Sequence, residues 1–191
     1  MLSRSLWDSA LELQSYMQSE SFRFCFIGGV AVQRWGEPRV TDDLDLTLLL
    51  NYGEEQKIAK RILSRYQSRH PRPLAFVLEA RILLLQDISG TDIDMSLGGM
   101  PFEERMIERS SDWFVAGHGS IKTCSAEDLV ILKSFASRPR DWIDVEKTII
   151  RQSKNLNRDL ILEELAVLAA LKEEPEILDQ LETIFLKHLS Q

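Results

Sequence analysis

Two cysteines in 191 residues are too few for a disulfide framework, and they make no Cys-x-x-Cys or Cys/His spacing. A thiolate zinc site is therefore not expected, and a reducing cytoplasm is the expected setting. Cys25 and Cys124 each lie among apolar or small residues, and His70, His118 and His188 are scattered without a ligand pattern. No apolar run approaches the roughly 20 residues of a membrane span. The opening "MLSRSLWDSALELQ" is amphipathic and lacks the continuous apolar stretch of a secretion signal. Excess positive charge is missing too: 23 lysines and arginines against 30 aspartates and glutamates give a formal net charge of −7. General attraction to nucleic acid is therefore absent, and any such contact must be local. Lys57, Lys60, Arg61, Arg65, Arg69 and Arg72 are a basic cluster of that kind, equally well explained as the solvated face of a helix. With 44% hydrophobic and 28% charged residues, the chain has the composition of a globular domain, or of a core with an added helical lobe.

Periodicity predicts a helix over 4–19, with Leu6, Ala10, Leu13 and Met17 on one stripe. "RFCFI" (23–27) reads as a short buried strand stopped by Gly28 and Gly29, and "VAVQRWGE" as a helix ended by Gly36 and Pro38. Residues 43–50 form the clearest strand, with Leu44, Leu46 and Leu48 on one face and Asp43, Asp45 and Thr47 on the other. A helix is expected over 54–70, with Ile58, Ile62 and Tyr66 inward. "RILLLQD" and "TDIDMSL" read as two strands around an "ISG" turn. In the second, Ile93, Met95 and Leu97 alternate with Asp92, Asp94 and Ser96, the same division as at 43–48. From Ser125 onward the pattern is helical, opened by a Ser-x-x-Asp capping signal and restarted at Pro139. The expected architecture is α/β (α+β): a core over 1–120, then a helical lobe over 121–191.

Carboxylates at a strand mouth repel one another and lose hydration. Either they form a harmless solvated rim, or something positive belongs between them. Asp43 and Asp45, two apart on one strand, point to one face and can share a divalent metal, and Asp94 fits as a third ligand better than Asp92. Magnesium suits an oxygen-only set and keeps waters and substrate phosphates as its other ligands. Gly28 and Gly29, at a strand-to-helix turn, let backbone N–H groups approach an anion. Metal-binding acids beside a phosphate-cradling turn suggest phosphoryl or nucleotidyl transfer. Lys133 stands on a face with Leu129, Val130, Ala136 and Ser137. It either snorkels to water or, with Arg138 and Arg140 following and Asp141 and Asp144 next, clamps a triphosphate.

Together these residues resemble the nucleotidyltransferase superfamily with the DNA polymerase β-like fold, and more narrowly the AbiEii/AbiGii toxin-type nucleotidyltransferases. The first motif of that group is Gly-Gly or Gly-Ser, a spacer, then Asp-x-Asp, often preceded by Arg-x-Thr. Here it is Gly28, Gly29, Arg39, Thr41, Asp43 and Asp45. "GTDID" aligns with the strand that supplies the third acid and selects Asp94. "KSFASRPRD" matches Lys-x4-Arg-x-(K/R)-Asp as Lys133, Arg138, Arg140 and Asp141. "LGGMPFEERMIERS" is similar to a segment common in these relatives. The resemblance covers roughly 22–150.

The resemblance implies a mixed sheet flanked by helices, with the helical lobe completing the active site. It implies that Asp43, Asp45 and Asp94 bind Mg²⁺ (or Mn²⁺), and that Asp94 helps activate the acceptor hydroxyl. Gly28, Gly29 and Thr41 fall at the nucleotide, Gly28 and Gly29 holding the phosphates, and Lys133 and Arg138 contact it. Asp141 orients Lys133 or Arg138, or assists the chemistry. One departure stands out: many superfamily members carry serine where this chain has Gly29, so a hydroxyl contact to phosphate is missing. The expected activity is transfer of an NMP from an NTP to an acceptor hydroxyl, with tRNA or a protein as acceptor and an antitoxin protein as partner. The competing expectation is a nucleotide-binding or interaction partner in a toxin–antitoxin pair, without turnover.

Overall fold

The computed structural model describes residues 5–189; Arg4, the expected start of the first helix, lies outside them. The chain divides into two compact units. One comprises the chain up to Val30 with Val40–Cys124, the other Ala31–Arg39 with the chain from Ser125.

In the first unit the helix α1 (Leu6–Ser19) starts at a capping box. The Ser5 hydroxyl accepts the Asp8 N–H, and the Asp8 carboxylate accepts the Ser5 N–H. The described strands are β1 (Phe24–Phe26), β2 (Asp43–Leu49), β3 (Gln67–Ser68), β4 (Ile82–Gln86), β5 (Asp92–Gly98), β6 (Ser111–Val115) and β7 (Gly119–Thr123). They form one sheet in the order β3-β4-β5-β2-β1-β7-β6. Its β2–β5 and β1–β7 pairs are parallel and the remaining pairs antiparallel. The mixed α/β architecture expected from the sequence is thus the one found.

The alternation read along 43–48 and 92–97 decides which face is the core. Leu44, Leu46, Leu48, Ile93 and Met95 are buried together with Ala10, Leu13 and Met17 of α1. Ile58 and Ile62 of α3 (Glu55–Leu63) and Val77 of α4 (Pro73–Ala80) complete that cluster. On the opposite face, Gly98 leaves room for Glu103 of α5 (Pro101–Arg109) and for Thr47.

Two expectations are corrected here. The helix expected to run to residue 70 ends at Leu63. The Ser64 hydroxyl donates to the Arg61 carbonyl at 2.6 Å, a local bond that competes with helix propagation, and Gln67 and Ser68 then pair with Leu85 and Gln86 of β4. Tyr66 is nevertheless buried, with its ring 5.7 Å from that of Tyr16. The helix over "VAVQRWGE" begins two residues earlier, at Gly28, as α2 (Gly28–Trp35). The elements α4, α5, β6 and β7 carried no expectation from the sequence.

The second unit is helical: the end of α2, then α6 (Ala126–Ala136), α7 (Pro139–Gln152), α8 (Arg158–Lys172) and α9 (Glu176–Leu189). Ser125 caps α6 by accepting the Asp128 N–H at 3.1 Å. Pro139 falls in the first turn of α7, where its missing N–H costs nothing. The interior is built from Leu129, Val130, Val145, Ile149, Ile161, Leu165, Leu181 and Phe185. No helix among the described residues is long and apolar enough to cross a membrane.

Leu46 is fully buried at the centre of β2. Leu46→Ala is expected to lower stability by about 2–5 kcal/mol, read as a shift of the urea midpoint; an unchanged midpoint would contradict this placement of the core.

Candidate active site

The parallel register of β2 and β5 sets Asp43 beside Asp92 and Asp45 beside Asp94. Residues paired across neighbouring strands share a face, so four carboxylates lie together on the face opposite the leucines. The next strand adds Gln86 opposite Asp92.

Each carboxylate meets a protein donor. Asp43 Oδ1 accepts the Thr41 hydroxyl at 2.9 Å. Asp45 Oδ2 accepts the Gly29 N–H at 3.3 Å. Asp92 Oδ1 accepts the Gln86 amide at 2.9 Å and lies 3.4 Å from Arg69 Nε. Asp94 Oδ1 accepts a terminal N–H of Arg69.

The glycines fit this packing closely. Gly28 has φ +53°, and a Cβ there would fall 1.8 Å from Asp45 Oδ2. A Cβ on Gly29 would fall 2.2 Å from Thr41 Oγ1. The space they clear is therefore filled by the Asp45 carboxylate and the Thr41 hydroxyl. A serine at position 29 would meet Thr41 here.

Among the described residues no three His, Cys, Asp or Glu side chains are gathered as a ready metal cage. The donor chemistry still fits a hard divalent cation: carboxylate oxygens only, on one face, with Asp94 41% and Asp92 42% exposed.

The second unit holds a different ionic arrangement. Lys133 Nζ lies 2.7 Å from Asp141 Oδ1 and 3.0 Å from Asp144 Oδ2. Arg138 donates to both oxygens of Asp141, at 2.5 and 3.3 Å. Arg39 makes a two-pronged contact with Asp144, at 3.1 and 3.0 Å, the geometry that suits guanidinium to carboxylate. Lys133, Asp141 and Asp144 are buried. Burial would raise both carboxyls. The hydrogen bonds from Arg138 and Lys133 to Asp141, and from Arg39 and Lys133 to Asp144, outweigh it together with the charges of those cations, and hold both below the ordinary 3.8. Three cations thus share two carboxylates, and Arg138, 73% exposed, presents the cluster to solvent.

Arg39 and Thr41, two residues apart in one sequence motif, fall in different units. Thr41 serves Asp43, whereas Arg39 serves Asp144. Residues 31–39 are knitted to α7 throughout: Gln152 donates to the Trp35 carbonyl at 2.7 Å, and Arg151 to that of Gly36. The structure brings together Gly28, Gly29, Thr41, Asp43, Asp45 and Asp94 in the first unit, and Lys133, Arg138 and Asp141 in the second. Arg140 lies exposed on α7. The contacts of Arg69 with the acids have no signal in the sequence, where it is one more charge on a helix face; only the premature end of α3 turns it toward β5.

The seven-stranded mixed sheet and its flanking helices are similar in fold to solved nucleotidyltransferase structures. An antigenic nucleotidyltransferase-like protein from Paracoccidioides brasiliensis is similar over 93% of this chain and 92% of its own, with TM-score 0.52 and 15% identity. The antibiotic-resistance factor ANT(2'')-Ia is similar over 92% and 96%, with TM-score 0.50 and 14% identity. No curated protein sequence matches. The family model for the nucleotidyl transferase AbiEii toxin of type IV toxin–antitoxin systems matches residues 17–186; the chain belongs to this family.

Two outcomes are expected. Gly28→Ala should cost more stability than Gly90→Ala in chemical denaturation. Both positions have positive φ, +53° and +90°, but a Cβ on Gly90 meets nothing within 4 Å; equal losses would mean that the contact with Asp45 is immaterial. Asp144→Asn should lower stability at pH 7 by about 3 kcal/mol, since buried Lys133 loses one of its two carboxylates and half-buried Arg39 loses its two-pronged contact. Because the folded pKa is depressed, the carboxylate's contribution is complete above the ordinary 3.8 and is lost as pH falls through the folded value. The gap between wild type and variant should therefore narrow on acidification, and a gap independent of pH down to 3.8 and below would contradict the assignment.

Proposed function

We propose that this protein is a divalent-metal-dependent nucleotidyltransferase, moving an NMP from an NTP to an acceptor hydroxyl and releasing pyrophosphate, as the toxin of a toxin–antitoxin pair. The observation that carries this is the β2–β5 register, which sets Asp45 beside Asp94 with Asp43 on the same face. Asp43, Asp45 and Asp94 would hold Mg²⁺ or Mn²⁺. Such an ion neutralises phosphate charge and lowers the pKa of the attacking hydroxyl. Asp94 is the carboxylate suited to take the proton of the acceptor hydroxyl. The Gly29 N–H, now given to Asp45, is a donor at the start of α2 suited to a phosphate oxygen.

Arg138 has the exposure to meet a phosphate. Lys133, held by two carboxylates, fixes the arrangement that Arg138 and Asp141 share. The acceptor is proposed to be a tRNA or a protein, and the partner an antitoxin protein.

A second reading, nucleotide binding without turnover, is favoured by the engagement of Asp94 with Arg69. Label transfer decides between them. The protein is incubated with each α-labelled NTP, Mg²⁺ or Mn²⁺, and total tRNA or cell lysate, beside the Asp43→Ala/Asp45→Ala variant. A labelled macromolecule made by the wild type, and reduced by about a hundredfold or more in the variant, is the expected result, since several kcal/mol of charge stabilisation are removed. Absence of label with every NTP, while metal-dependent nucleotide binding persists, would establish the second reading.

A further inference from the structure

Arg69 follows β3, the short edge strand. Its main-chain N–H donates to the Leu84 carbonyl at 2.9 Å and its Nε to the Leu85 carbonyl at 2.9 Å. The same Nε lies 3.4 Å from Asp92 Oδ1, and a terminal nitrogen reaches Asp94 Oδ1. One guanidinium therefore spans two of the four carboxylates that the β2–β5 register assembles. Other members of the basic group are engaged elsewhere: Arg61 pairs with Glu20 and Arg65 with Glu12.

Four like charges on adjacent strands, roughly 5 Å apart, raise the energy of the face unless positive charge is nearby. Arg69 supplies that charge from within the chain. A divalent cation bound at Asp94 would compete for the same carboxylate, and the two cations would repel each other at that distance. Bound metal and the Arg69–Asp94 contact thus oppose each other. Asp92, satisfied by Gln86 as well as by Arg69, gives up less when the guanidinium moves.

We propose that Arg69 is the resident counterion of the acid face, and that it must release Asp94 before a divalent cation binds there. Arg69 is then a positioning residue that sets the cation affinity of the site. The inference rests on the reading of Asp43, Asp45 and Asp94 as metal ligands. On this account the apo protein is stabilised by the contact and the metal-bound protein is not.

The test is Mn²⁺ binding without nucleotide, followed by electron paramagnetic resonance of the free ion, on wild type, Arg69→Gln and Asp45→Asn, with folding checked by circular dichroism. Arg69→Gln should bind Mn²⁺ about tenfold more tightly than wild type, because a competing charge is gone. Its melting temperature should lie below that of wild type without metal, the difference closing at saturating Mn²⁺. Should Arg69→Gln fail to fold, Arg69→Lys, which keeps the charge but cannot bridge both carboxylates, should show a smaller increase in affinity. If wild type binds, Asp45→Asn binds poorly, and the Arg69 variants bind equally or more weakly than wild type, the counterion role is overturned and the metal site stands. If wild type binds no Mn²⁺, or Asp45→Asn binds as well as wild type, the metal site itself fails and the inference with it.

Discussion

The parallel pairing of β2 with β5 is the constraint from which the candidate site follows. One register fixes both faces at once: it lays Leu44, Leu46, Ile93 and Met95 into the core and sets Asp43, Asp45, Asp92 and Asp94 together on the other side. A slip by one residue would exchange the faces and bury the acids. Hydrophobic burial on one face thus holds the negative charges together on the other.

The two units handle carboxylates in opposite ways. On the sheet the acids are partly exposed and lightly held by the Gly29 N–H, the Thr41 hydroxyl, the Gln86 amide and the Arg69 guanidinium. In the helical unit Asp141 and Asp144 are buried and matched by Lys133, Arg138 and Arg39 in direct contact. A buried ion left unpaired is costly, so the second arrangement has to be complete in the folded chain. An exposed acid face tolerates incomplete neutralisation, which leaves it able to exchange a protein donor for an ion.

Much of this was legible in the sequence. Alternation gave β2 and β5 with their faces correctly divided, the Ser125 cap gave the start of α6, and Pro139 gave the start of α7. The family followed from the Gly-Gly/Asp-x-Asp and Lys-x4-Arg-x-Arg-Asp motifs. What stayed hidden depends on long-range contacts. Apolar periodicity through Tyr66 looks like more helix, because Tyr66 is indeed buried, against Tyr16. Its burial is achieved from a turn, and only that turn carries Arg69 to Asp94. Spacing places Arg39 with Thr41, whereas the pull of Asp144, far along the chain, assigns it to the other unit. The motif suggests that the glycines clear space for phosphate; the close approach is to Asp45 and Thr41, atoms that periodicity does not locate.

The central claim is that the acid face is a divalent cation site. Anomalous diffraction from crystals soaked in Mn²⁺ with a non-hydrolysable NTP tests it most directly. The account predicts a peak bounded by Asp43, Asp45 and Asp94, with the Arg69 guanidinium withdrawn from Asp94. A soaked crystal with nucleotide bound, no peak at these carboxylates and Arg69 still on Asp94 would contradict it.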